Sequence, residues 1–128
     1  MSDKILSIVE GAFRATLEEQ DDAALWFTAA VRNSGSDTNI MLRNVAVHYA
    51  LQDQRRPRLQ IGDMVVENPP EFDADLMRLM EKGGKVYVVD DDLADLGLAD
   101  APLVAGIERI RRADVAPVTA EYDQIWFW

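Results

Sequence analysis

The chain has 128 residues, of which 48% are hydrophobic, so it is long enough to build one core of ordinary size. It contains no cysteine, which excludes disulfides, thiolate catalysis, iron–sulfur clusters and thiolate zinc sites. Its formal net charge of −10 repels phosphate backbones and anionic lipids, so we expect neither nucleic acid nor a membrane surface as a partner.

The beginning of the chain predicts no export signal. Its first apolar run is short and is followed by no small-residue cleavage site. Nowhere does the sequence approach the ~20 consecutive apolar residues that a membrane span needs. We therefore expect a cytoplasmic protein. Because no repeat or flexible linker divides the chain, we also expect a single domain over 1–128.

The first half of the chain alternates buried strands with helical patterns. Residues 4–10 (KILSIVE) predict a strand, and residues 21–35 predict a helix that ends at Gly35. Residues 38–44 predict a second strand, and residues 45–52 support about two helical turns. This order is typical of strands joined by helical crossovers.

The next segment differs, because residues 58–70 contain two short β-prone stretches on either side of Gly62 and Asp63. That dipeptide suits a tight turn, so we predict a hairpin that is stopped by Pro69 and Pro70. The remaining predicted elements are a helix over 71–84, a strand over 85–89, a short helix over 91–97, an exposed strand over 106–112, a helix over 114–122 and a final strand over 124–128.

Strands separated by helices predict an α/β protein with three α/β/α layers and a mostly parallel sheet of about five strands. In such a sheet the ligand crevice lies at the carboxyl ends of the strands. The polar residues that follow the first three strands are the candidate ligand-binding residues: Glu10 and Arg14, then Arg43, Asn44 and His48, and then Asp90, Asp91 and Asp92.

The three aspartates admit three interpretations. They can cap a helix and offset its dipole, bind a hard cation, or form a carboxylate cluster for phosphoryl transfer. A magnesium site would need a further carboxylate from another strand end, and Glu10 is the candidate. Acidic residues at a helix start are the ordinary pattern, so we favour capping and predict no metal and no cofactor.

The other candidates also have ordinary explanations. Arg43 and Asn44 could bind an anion, but we favour pairing of Arg43 with the nearby acids. His48 is the only histidine, and no serine or cysteine motif supplies a nucleophile for it to activate, so we favour a packing or hydrogen-bonding role. The sequence around Gly11 lacks a phosphate-binding glycine motif. We therefore predict no catalytic residue.

Three stretches together resemble the DsrE/DsrF-like family: EEQDDAALWFTAAVRNSGSD, DTNIMLRNVAVHYAL and LMEKGGKVYVVDDDLADLGL. The resemblance covers nearly the whole chain and implies an α/β fold. Members related to DsrE and TusD carry a persulfide on a cysteine that would fall on Val89, eight residues before the glycine that matches Gly97. A second cysteine of some relatives would fall on Asp92, and an arginine often found before the glycine is Leu96 here.

The resemblance implies a non-catalytic oligomeric subunit or scaffold associated with intracellular sulfur metabolism, because valine cannot hold a persulfide. Its partners would be copies of itself and cysteine-bearing DsrE-like proteins. A small-molecule or divalent-cation enzyme using the acidic crevice, and a ligand-sensing module, stay open as alternatives. The aromatic residues Trp126, Phe127 and Trp128 cannot all face one side of a strand. Because large exposed aromatic patches usually mark interfaces, we expect the protein to self-associate as a trimer or a hexamer.

Overall fold

A computed structural model describes residues 3–11, 23–52, 60–65 and 72–128. The strands are β1 (Lys4–Val9), β2 (Asp37–Leu42), β3 (Gln60–Ile61), β4 (Met64–Val65), β5 (Val86–Val89), β6 (Glu108–Ile110) and β7 (Gln124–Phe127). The α-helices are α1 (Ala23–Asn33), α2 (Phe72–Glu81), α3 (Asp90–Asp95) and α4 (Val115–Thr119), and 3-10 helices span Asn44–Ala50 and Arg112–Asp114. The predicted order of elements is confirmed.

Five strands form one parallel sheet in the order β6-β5-β2-β1-β7. The predicted α/β architecture is confirmed, and the sheet is parallel throughout. β3 and β4 pair antiparallel in a separate hairpin around Gly62 and Asp63, as predicted from that dipeptide. Residues 53–59 and 66–71, which flank the hairpin and include Pro69 and Pro70, lie outside the described residues.

The sheet buries apolar side chains on both faces, since successive strand residues point to opposite sides. One face packs against α1, α2, α3 and the 3-10 helix Asn44–Ala50, with Leu25 and Leu76 in the shared core. The other face carries Met41 and Val89, and it packs against Val115 and neighbouring residues of α4. The chain therefore has three layers, and the helices on the first face carry most of the described core.

The segment after β2 forms a 3-10 helix in place of α-helical turns, although the predicted length of about two turns is confirmed. Four of its residues are buried: Ala46, Val47, Tyr49 and Ala50. None of the described helices is long and apolar enough to cross a bilayer.

A glycine pair returns the chain from α2 to β5. Gly83 has φ +86°, a left-handed conformation that side-chain-bearing residues rarely adopt. Gly84 lies against α2, where a Cβ atom would be 2.7 Å from Leu79 Cγ and 2.8 Å from the Leu79 carbonyl oxygen. The turn is thus closed by a backbone approach that leaves no room for a side chain.

Replacing Gly84 with alanine should lower the free energy of unfolding by about 1–3 kcal/mol, because the new methyl group must displace Leu79. Urea denaturation followed by circular dichroism measures this difference. Lys85→Ala is the matched control, because the Lys85 side chain is exposed and its removal should change stability by less than about 0.5 kcal/mol. Equal stability of the two variants would contradict the close approach.

Candidate functional site

The carboxyl edge of the sheet brings together residues that follow β1, β2 and β5. Its centre is Asp92, whose carboxylate is buried although it lies in a short helix of otherwise more exposed acids. The backbone N–H of Asn44 donates to Asp92 Oδ2 at 2.8 Å. Arg112 Nη2 donates to Asp92 Oδ1 at 2.7 Å. One side chain thus links the end of β2, helix α3 and the segment after β6.

Asp92 stays ionised because its partners outweigh its burial. Burial raises the pKa of the Asp92 carboxyl, but the hydrogen bonds from Arg112 and from the Asn44 backbone, with the charges of Arg112 and Arg43, bring that pKa below its usual value. The same hydrogen bond to Asp92, with a second to Asp95, raises the pKa of Arg112. The pair is therefore ionic at neutral pH.

The neighbouring acids are paired with two arginines. Asp90 Oδ1 accepts from Arg109 Nη1 at 3.1 Å, and Asp95 Oδ2 accepts from Arg112 Nη2 at 2.8 Å. Asp91 lies 3.8 Å from Arg112 Nη1 and also accepts weakly from the Arg112 backbone N–H at 3.4 Å. The four carboxylates of Asp90, Asp91, Asp92 and Asp95 thus share two guanidinium groups, which balance half of their charge.

These arginines were not among the sequence candidates, which were taken from the first three strands only. Arg109 lies in β6 and Arg112 begins the 3-10 helix after it. A signal was present, because residues 106–112 were predicted as a strand and its carboxyl end had to meet the same edge of a parallel sheet as Asp90. The carboxyl end of β6 therefore completes the cluster.

The cluster borders an open depression with a volume of about 460 Å³. Its walls consist of Asp90, Asp91, Asp95, Arg109 and Arg112, with Ala94 and Ala99 between them. Within the described ranges, no three histidine, aspartate or glutamate residues are arranged to hold a metal ion. A ligand in the depression would therefore meet carboxylate and guanidinium groups. The described part of the chain presents no preformed coordination shell for a metal ion.

The interpretation of the aspartates as residues that cap a helix and offset its dipole is confirmed only for their place in the first turn, because none of them is the cap. The residue at the N-cap position of α3 is Val89, and no side chain caps the helix there. Asp90, Asp91 and Asp92 occupy the first turn instead, where their charges still oppose the helix dipole. They could not serve as the cap because β5 continues through Val89 and the helix begins at once.

The remaining candidates are distributed along the same edge. Arg43 Nη1 lies 3.8 Å from Glu10 Oε1, which agrees with the expected pairing, while the buried Arg43 Nε has no hydrogen-bond partner. Asn44 adopts φ +51°, and its backbone N–H donates to Asp92. His48 Nδ1 lies 2.8 Å from the carbonyl oxygen of Val45, a local contact within the 3-10 helix. Arg14 lies outside the described residues.

Val89, which matches the family cysteine, ends β5 and is fully buried. Its side chain belongs to the core of the face covered by α4, together with Met41, Tyr87 and Ile110. A sulfur atom at this position would face that core and not the open depression. At the end of β5, where the resemblance places the sulfur-carrying cysteine, the side chain is therefore buried in the core.

Comparison with solved structures finds proteins of the same fold. The crystal structure of the ychN protein from E. coli matches with a TM-score of 0.76 and 21% sequence identity, over 98% of this chain and 99% of that one. A protein of unknown function from Methanobacterium thermoautotrophicum, MTH1491, matches with a TM-score of 0.59 and 16% identity over the same shares. Both have a DsrE-like fold. At these identities the likeness shows the fold alone.

No protein-family model matches the sequence. No curated protein matches it either.

Replacing Asp92 with asparagine should lower the free energy of unfolding by about 1–3 kcal/mol at pH 7, because Arg112 loses its buried charged partner. The folded-state pKa of Asp92 lies below its unfolded value. Its contribution is therefore fully present above the unfolded pKa and is lost as pH falls through the folded pKa. Urea titrations between pH 7 and pH 2 should show a shallower acid loss for Asp92→Asn than for the wild type.

Asp100→Asn is the matched control for this measurement. It makes the same chemical change at an exposed position for which the described structure gives no hydrogen bond or ion pair. Its stability and its acid dependence should follow those of the wild type. If both variants behaved alike, the buried position of Asp92 would carry no particular stability.

Proposed function

We propose that this chain is a non-catalytic, self-associating scaffold with a DsrE-like fold that works beside sulfur-carrying relatives without carrying sulfur itself. The observation that carries this proposal is the closed end of β5. Val89 is packed into the core there, and the acids that follow it are paired with Arg109 and Arg112. A strand end filled in this way supports the structure and presents no nucleophilic side chain at the described end of β5.

The alternative, an enzyme that binds a divalent cation or a small molecule in the acidic crevice, receives less support. A metal site needs carboxylate oxygens that converge on one point. Here Asp92 points inward to Asn44 and Arg112, while Asp90 pairs with Arg109. A cation would have to displace two guanidinium groups to reach these oxygens.

Self-association is supported by the aromatic edge, a name used here for Phe27, Trp126, Phe127 and Trp128. Phe27 of α1 packs its ring 5.8 Å from that of Trp126 and 5.7 Å from that of Trp128. Phe127 projects from the opposite face of β7 and is 69% exposed. β7 is an outer strand of the sheet, and no described strand pairs with its far side. Exposed aromatic side chains on an edge strand are typical of an interface.

One prediction of this proposal distinguishes a closed end of β5 from an open end that merely lacks a cysteine. A Val89→Cys variant should not accept sulfur from a persulfidated carrier protein, because its thiol would be buried in an apolar core where the thiolate is disfavoured. In the transfer, the cysteine thiolate would attack the outer sulfur of the donor, form a new persulfide and release the donor thiol. Intact-mass spectrometry should show no gain of one sulfur atom.

Leu96→Cys is the matched control, because Leu96 is 42% exposed just after α3. This variant should accept sulfur under the same conditions and show that the assay works. Efficient persulfide formation on Val89→Cys would mean that the strand end opens, and it would remove the basis of the scaffold proposal.

The second prediction is that the protein sediments at three or six times its chain mass of 14.4 kDa at micromolar concentration. Phe127→Ser should weaken the assembly by about 2 kcal/mol or more per interface if the aromatic edge is buried there. Sedimentation equilibrium measures both quantities. Met77→Ser removes another exposed apolar side chain, 42% exposed on α2, and should leave the assembly unchanged. A monomer in the wild-type protein would contradict the proposal.

A further inference from the structure

A small basic pocket lies between the carboxyl-terminal ends of α1 and α2, away from the carboxyl edge of the sheet. Its volume is about 120 Å³. Among the described residues, three cationic side chains line it, namely Arg32, Arg78 and Lys82, together with one acid, Glu81. Arg32 and Arg78 each also pair through Nη1 with an acid that does not line the pocket, Asp37 at 3.3 Å and Asp75 at 2.9 Å, so the donors without a partner among the described residues include Nη2 of each arginine and the Lys82 ammonium group.

Arg32 is fixed in the wall of this pocket by the protein itself. Its Nε donates to the carbonyl oxygen of Lys82 at 3.1 Å, and its Nη1 donates to the carbonyl oxygen of Thr38 at 2.9 Å and to Asp37 at 3.3 Å. The side chain is only 13% exposed. Nη2 makes no hydrogen bond with any described residue, so its two N–H groups are held in place and available to a ligand.

The other polar groups of the pocket are also available. Arg78 uses Nη1 on Asp75 at 2.9 Å, and the rest of its guanidinium group has no acceptor among the described residues. Lys82 and Asn33 donate through their side chains to no described residue. Ala29 and Leu79 complete the wall with apolar atoms. The site thus combines a preoriented arginine, two further cations and an amide around a small, partly open space.

We propose that this basic pocket binds an oxyanion of the size of phosphate or sulfate. The space corresponds to roughly four water molecules at their share of liquid volume, which suits a tetrahedral anion. Arginine and lysine bind such anions through charge-assisted hydrogen bonds, and a guanidinium group that is already fixed loses little freedom on binding. This site is independent of the scaffold role and of the aromatic edge.

The same side chains have an ordinary role that must be separated from binding. Basic residues in the last turn of a helix offset the negative end of its dipole, and both α1 and α2 carry an arginine there. That role would need no cavity and no contact with an external anion. A test must therefore distinguish occupation of the pocket from general screening of surface charge.

The experiment titrates the full chain with sodium phosphate, and separately with sodium sulfate, at an ionic strength held constant with sodium chloride. Amide chemical shifts of Asn33, Lys82 and Gly83 report the binding. We expect saturable shifts at these positions that chloride alone does not produce. Lys82→Gln should weaken the affinity about tenfold, the effect of losing one charge-assisted hydrogen bond. Glycerol phosphate, titrated in parallel, shows whether a phosphate ester enters as well as the free anion.

Two further variants make the result decisive. Lys85→Gln removes the same charge from an exposed neighbour that does not line the pocket, and it should bind as the wild type does. Ala29→Leu fills the cavity with apolar atoms and keeps a helix-forming residue, so it should abolish the saturable shifts.

Three outcomes would overturn the proposal: equal shifts with chloride, an equal loss of affinity in Lys85→Gln and Lys82→Gln, or unchanged binding in Ala29→Leu. Because the Lys82 side chain is exposed, Lys82→Gln keeps the test valid even if Ala29→Leu fails to fold.

Discussion

The carboxyl edge of this protein depends on one buried charge. Asp92 is taken out of water, and a buried carboxylate is tolerated only when hydrogen bonds and opposite charges replace its hydration. The backbone of Asn44 and the guanidinium group of Arg112 supply them. Asn44 has a left-handed φ of +51° at this point, and Arg112 begins the 3-10 helix that follows β6. One carboxylate thus links three chain segments.

The fold could be predicted from the sequence because its elements are encoded locally. Buried parallel strands appear as short apolar runs, and α1 and α2 appear as amphipathic segments that are followed within two residues by Gly35 and Gly83. The site was predictable only in part. Asp90, Asp91 and Asp92 were found because they directly follow a strand, but their arginine partners come about twenty residues later and meet them only through the order of strands in the sheet. The rule that a helix is preceded by a capping Ser, Thr, Asp or Asn also failed for α3. Its N-cap residue is Val89, because β5 runs directly into the helix.

The likeness to ychN and MTH1491 concerns the fold alone, so any function of this chain must be argued from its own residues. A parallel sheet usually offers its carboxyl edge to ligands. In this chain the end of β5 is packed and the adjacent charges satisfy one another, so our two proposals concern other surfaces. One is the aromatic edge at β7. The other is the basic pocket between the carboxyl-terminal ends of α1 and α2.

The pairing of β7 with β1 also has a kinetic consequence. Lys4 and Asp123 bond to each other across 119 positions of sequence, so this contact closes a loop that includes nearly all other elements. The chain loses the entropy of closing this loop before the pairing of β7 with β1 stabilises it. Contacts of this sequence separation therefore slow folding. We expect β7 to join a sheet that has already formed from β1, β2, β5 and β6. Until it does, β1 is an unprotected outer strand, and the nascent sheet is open to pairing with other chains.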